Sequence, residues 1–241
     1  MTVTNTQTGT NIAEIADGIY RINTPVDAIP GGFSFNQYLI VDDEPLLYHT
    51  GLRTLFPLVQ EAVAHIIPIE RLRYIAFSHV EADECGALNQ WLAAAPQALP
   101  VCSRIAALTS INDMADRVPR ALRDGEHLTL GRHVVAWFDT PHLPHGWETG
   151  LMLEQQTRTL LCGDLFTQPG AHTPALTESD ILEPSETLRQ ALEYYAHARN
   201  TRGMLERLAQ TEPLTLACMH GSAWRGNGAA LLRALADRLD T

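Results

Sequence analysis

Cysteine is sparse here and never closely paired. Four occur, Cys85, Cys102, Cys162 and Cys218, and none forms a C-x-x-C pair. Their wide spacing argues against both a disulfide framework and a zinc ribbon, so reduced, mostly buried thiols are expected. Basic residues are also few. Lys and Arg total 17 against 28 Asp and Glu, a formal net charge of −11. With no basic run, the chain is a poor candidate for binding nucleic acid or an anionic membrane. No apolar run approaches the ~20 residues of a bilayer span. The first ten residues lack the basic and apolar regions of a secretory signal, so they read as a flexible tail (1–10) on a cytoplasmic protein. No G-x-G-x-x-G follows a strand, and no repeat, linker or charge block divides the rest. Residues 11–241 therefore read as one domain.

Apolar residues make up 45% of the chain and charged residues 19%, a globular balance. Ile12–Ile22 alternates around Asp17-Gly18, a hairpin signal. Phe35–Val41, Pro45–Tyr48, Arg73–Phe77, Leu99–Cys102, His133–Phe138, Thr149–Glu154, Thr159–Leu161 and Leu214–Ala217 read as strands. Helical spacing covers Thr54–Ile66, Glu84–Ala94, a segment from Ser185 towards Ala198, Thr201–Gln210 and Gly226–Leu239. Strand-rich segments separated by helices, in two halves, suggest an α/β fold of two sheets face to face with helices outside.

The chemistry gathers where apolar runs end. After Tyr74-Ile-Ala-Phe comes Ser78-His79-Val80-Glu81-Ala82-Asp83-Glu84. In an extended segment, His79, Glu81 and Asp83 face one way. Clustered carboxylates resist burial without a cation, so a divalent metal is one reading of this segment. A solvated acidic helix start is the other. Three further strand ends shift the balance towards metal: His145 in the loop after His133–Phe138, Asp164 after Thr159-Leu-Leu-Cys-Gly, and His220 after Leu214-Thr-Leu-Ala-Cys-Met.

The pattern H-x-E-x-D, then His145, 18 residues, Asp164, 55 residues and His220 resembles the di-iron domain of flavodiiron proteins. The early strand Phe35–Ile40 and the segment His220-Gly-Ser-Ala-Trp-Arg225 resemble that family too. The resemblance covers the whole chain. It implies a metallo-β-lactamase-like αβ/βα four-layer sandwich holding two metal ions. One ion would take His79, Glu81 and His145, the other Asp83 and His220, with Asp164 bridging. Zinc hydrolases of the superfamily usually carry a second His where Glu81 stands. A carboxylate there favours the hard ions iron or manganese over zinc, without excluding zinc.

One position departs from the family. Glu84 stands where its pattern has His, which leaves three readings: Glu84 is a further ligand of the second metal, it points away and leaves an open coordination position, or the second site is weak and partly occupied. Asp164 and Tyr195 are candidate catalytic residues. His49, His142, Trp147, Phe166, His172 and Trp224 are candidates for the pocket wall or for hydrogen bonds behind the ligands. His65, His127, His133 and His197 read as surface residues.

The family resemblance implies binding, sensing or reduction of O2 or NO. Because no flavin mononucleotide site is legible, electrons are expected from an external donor. A dinuclear hydrolase acting on an ester, thioester, lactone or phosphodiester through metal-bound hydroxide is the alternative. A homodimer is expected by analogy of fold alone.

Overall fold

The computed structural model describes residues 1–240. Fifteen strands form two sheets among them. The first holds, in spatial order, β1 (Thr2–Asn5), β2 (Thr10–Ala16), β3 (Ile19–Val26), β4 (Phe33–Ile40), β5 (Leu46–Tyr48), β6 (Tyr74–Ala76), β7 (Leu99–Ser103) and β8 (Arg120–Leu122). It begins antiparallel and turns parallel from β5 onwards. The second comprises β9 (His127–Thr129), β10 (Val134–Asp139), β11 (Gly150–Glu154), β12 (Thr159–Leu161), β13 (Leu176–Thr177), β14 (Thr215–Ala217) and β15 (Ala223–Arg225), in the order β13-β15-β14-β12-β11-β10-β9.

The pleat explains the layers. Along β4, β5 and β6, Tyr38, Ile40, Leu46, Tyr48, Tyr74 and Ala76 face the other sheet, and Leu39, Leu47 and Ile75 face outward. In the second sheet Met152, Leu161 and Ala217 point inward, while Leu151, Leu153, Leu160 and Leu216 point outward. Period-two alternation with both faces buried makes these strands read as nearly continuous apolar runs. The outward face of the first sheet is covered by α1 (Phe56–Ala64) and α3 (Leu88–Ala94), the latter just after the single turn α2 (Ala82–Cys85). Short turns α4 (Arg104–Ala106) and α5 (Asn112–Met114) flank a π-helical segment at Ala107–Ile111. On the second sheet, α7 (Thr201–Ala209) and α8 (Gly228–Leu239) cover the outer face, preceded in the chain by α6 (Leu182–Leu192). The result is the four-layer αβ/βα sandwich.

Several expectations need correction. Residues 1–10 are not a loose tail: β1 pairs with β2, and Asn5 accepts from the backbone of Gln7 and Thr8 to close the turn between them. The helix expected over Glu84–Ala94 breaks at Gly86, where a side chain would collide with the Ala82 carbonyl. The helix expected from Ser185 starts at Leu182, where the Asp180 carboxylate accepts the first backbone N–H groups, and stops at Glu193 in a left-handed conformation. His133 is not at the surface. It is fully buried, with Nδ1 3.0 Å from the equally buried Glu154. The chain contains no lysine, so surface ion pairs such as Arg132–Asp17, Arg202–Asp237, Arg207–Asp124 and Arg233–Glu206 use arginine.

No helix among the described residues is long and apolar enough to cross a membrane.

Candidate metal centre

The centre forms where strands of both sheets end. β6 delivers Ser78 and His79, the β10–β11 loop delivers His145, and the parallel pair β12 and β14 delivers Asp164 and His220. Their side chains assemble into two groups whose ligand-type atoms lie within 4.8 Å of one another. One group is His79, Glu81, His145 and Asp164. The other is Asp83, Glu84 and His220.

The division within residues 79–84 has a local cause that alternation did not foresee. Glu81 is extended, with φ −133° and ψ 169°, and Ala82 opens the α2 turn. The change from strand-like to helical backbone sends Glu81 to His79 and His145. It turns Asp83 and Glu84 towards His220.

Asp164 stands between the groups. Its Oδ2 is 3.5 Å from Nε2 of both His79 and His145, and its Oδ1 is 3.4 Å from Nε2 of His220. Burial opposes its charge, but His220, then His79 and His145, hold the carboxyl well below the ordinary range. Glu81 approaches His145 at 3.1 Å, and that contact, followed by His79, brings its carboxyl down to about 2. Glu84 behaves oppositely. It is fully buried, neither carboxylate oxygen has a hydrogen-bond donor, and burial together with the charges of Asp164 and Asp83 pushes it well above the ordinary range.

This donor set fits a pair of cations. Four carboxylates and three imidazoles converge with no Lys or Arg among them. A buried carboxylate with two orphaned oxygens is costly unless something positive meets it. Two divalent ions would balance four carboxylates, and one oxygen of Asp164 faces each group, as a bridging ligand requires.

The nitrogens turned away from the centre are held from behind. Nδ1 of His145 lies 3.1 Å from the Tyr194 carbonyl, and Nδ1 of His220 lies 2.9 Å from the Ser34 carbonyl. Nδ1 of His79 instead meets Ser78 Oγ at 2.9 Å. That hydroxyl reaches His49 Nε2 at 3.0 Å, and His49 Nδ1 reaches Met219 Sδ at 2.8 Å. His49 thus lies behind His79 and meets it through Ser78. Burial pushes its imidazole well below the usual range, so it is neutral.

The other candidate wall residues are placed differently. His142 is exposed, Trp147 is 58% exposed, and His172 lies at the surface 3.1 Å from Asp27. Phe166 is wholly buried in the outer core over the second sheet, and Trp224 packs against that same core. Tyr195 is buried there too, its hydroxyl without a partner. Its neighbour Tyr194 reaches the centre instead, donating from its hydroxyl to the Asp164 carbonyl. Sequence reasoning passed over Phe33, whose ring lies 4.4 Å from that of His220, and Phe35, edge-on at 5.4 Å. It also missed Ser78, although its place directly before His79 was a usable signal.

Residues 33–221 match the model of the ODP family beta lactamases. The chain belongs to that family. Among curated relatives of this ODP-family chain, the putative diflavin flavoprotein A 1 of Thermosynechococcus vestitus is 27% identical over 82% of this chain and 35% of its own length. The nitric oxide reductase of Moorella thermoacetica is 25% identical over 92% of this chain and 60% of its own. The rubredoxin-oxygen oxidoreductase of Megalodesulfovibrio gigas is 26% identical over 82% and 50%. The chain therefore spans between about a third and three-fifths of these relatives. Among solved structures, a fragment of the putative diflavin flavoprotein A 5 from Nostoc sp. superposes with a TM-score of 0.84 at 22% identity, covering 96% of this chain and 95% of the fragment. The Flv1 flavodiiron core from Synechocystis sp. gives 0.81 at 21% identity, covering 96% and 61%. The ODP-family chain thus has the metallo-β-lactamase-like core of flavodiiron proteins.

Proposed function

We propose that this chain holds two iron ions and binds O2 or NO at the pair. His79, Glu81 and His145 would hold one ion, Asp83, Glu84 and His220 the other, and Asp164 both. The observation that carries the reading is the donor set, four carboxylates with three imidazoles, which suits hard, oxidisable ions better than zinc. The relatives named for nitric oxide reduction and for oxygen reduction point the same way.

An iron pair supplies electrons to a bound diatomic molecule. The chain's own residues set charge and access. Tyr194 and Ser34 accept the Nδ1 protons of His145 and His220, fixing the tautomer that turns Nε2 inward. Phe33 and Phe35 pack against His220 and shield that group from water. Glu81 is half exposed and His145 partly so, which makes their side the approach for a small ligand. Reducing equivalents for repeated turnover would come from a separate donor.

Metal analysis of protein isolated without added zinc tests this. About two irons per chain, with near-ultraviolet absorption, support it. Two zincs, no such absorption and hydrolysis of a test ester or thioester would replace it with the hydrolase reading.

A further inference from the structure

Cys162 and Cys218 are buried side by side under the candidate metal centre. β12 and β14 run parallel with Leu161 opposite Ala217, so the next residues, Cys162 and Cys218, stand level. Both point to the outer core, and their sulfurs are 3.7 Å apart. Neither thiol has a better partner. Their nearest carbonyls, of Leu165 and Leu216, lie at 4.0 and 3.9 Å. Cys85, buried elsewhere, reaches the Glu81 carbonyl at 3.3 Å. Each paired cysteine also lies two residues before a residue of the centre, Asp164 or His220.

We infer that Cys162 and Cys218 form a reversible disulfide, oxidised by hydrogen peroxide. One thiol sulfur attacks a peroxide oxygen, breaking the O–O bond to give a sulfenic acid and one water. The second sulfur then displaces the sulfenic hydroxyl as another water and closes the S–S bond. Two thiols lose two electrons, one peroxide gains them, and both thiol protons leave in the waters. The level placement on neighbouring strands suits a disulfide, whose sulfurs lie about 2.05 Å apart. Closing the 3.7 Å gap ties together the two strand ends that carry Asp164 and His220. The couple therefore stores two electrons in the protein beside the centre. Its formation does not depend on the metals.

The test uses reduced, metal-free wild-type protein in native buffer, treated with hydrogen peroxide. Free thiols should fall from the four in the sequence to two. The intact mass should drop by about 2 Da, reversibly with dithiothreitol. Peptide mapping should place the bridge between Cys162 and Cys218. Cys218→Ala should form no disulfide and show no 2 Da loss under the same treatment, because Cys162 then has no second thiol to close on. Four surviving thiols in the wild type, a bridge to Cys85 or Cys102, or sulfinic acid in place of a bridge would overturn the inference. Because no metal is present, its failure is separate from failure of the iron reading.

Discussion

The Ser78 hydroxyl lies 2.9 Å from Nδ1 of His79, on the side of the ring turned away from the carboxylates. That placement fixes the direction of a buried chain. With Nε2 of His79 facing the carboxylates, its Nδ1–H donates to Ser78. The Ser78 hydroxyl then donates to His49 Nε2, and His49 Nδ1–H donates to the Met219 thioether. His145 and His220 end on backbone carbonyls, which no mutation removes. The His79 chain is built of side chains and can be tested.

Ser78→Ala leaves the Nδ1–H of His79 without its buried acceptor. An orphaned buried donor costs about 1–3 kcal/mol. Losing such an outer partner weakens metal affinity by about 10–100-fold. Chelator competition should show one ion released far more easily and the other little changed.

Glu84→Gln separates stability from metal binding. In metal-free protein it removes a buried carboxyl with two orphaned oxygens, so thermal unfolding should move upward, by about 1–3 kcal/mol in stability. The same change should take metal content from two ions towards one. Calorimetry of the metal-free form and metal analysis of the loaded form read the two effects.

Glu154 and His133 form a buried pair elsewhere in the second sheet. Burial opposes the Glu154 charge, but Thr157 and the backbone N–H groups of Thr157 and Gln156 outweigh it, with His133 adding to them, and lower the carboxyl. Because its folded value is depressed, its contribution is fully present above the unfolded value near 4.3 and disappears as pH falls through the folded one. Glu154→Gln should therefore destabilise the protein at pH 7. The gap from wild type should narrow as pH drops below about 4. Urea unfolding at several pH values checks the sign.

The adjacent tyrosines should respond unequally. Tyr194→Phe removes the hydrogen bond to the Asp164 carbonyl and should cost about 1 kcal/mol. Tyr195→Phe removes a buried hydroxyl that has no partner and should be neutral or stabilising. Denaturant midpoints of the two variants make the comparison.

Much of the fold was legible because both faces of the central strands are buried. Tyr74–Ala76 and Thr159–Leu161 announce themselves as apolar runs, and each is followed by a polar residue of the centre. Less could be read where the backbone changes type. Alternation placed Glu81 and Asp83 on one face, whereas the α2 turn separates them. The short strands β8, β9, β13 and β15 have two or three residues each, too few for a period to show. Long-range packing decided the wall: Phe33 and Tyr194 reach the centre from distant segments, while Phe166 and Tyr195 turn into the outer core. His133 looked like a surface residue because Glu154, which buries with it, is 21 positions away in the sequence.

Oxygen titration of the reduced protein shows whether the chain holds an iron pair that reacts with O2. The chain is loaded with ferrous iron under anaerobic conditions, and the iron content, oxygen uptake and absorption are followed together. About two irons per chain, uptake of oxygen, and growth of near-ultraviolet absorption as the pair oxidises are expected, all impaired by Asp164→Ala. Full loading with two irons and no change in spectrum or oxygen level would contradict the proposed function.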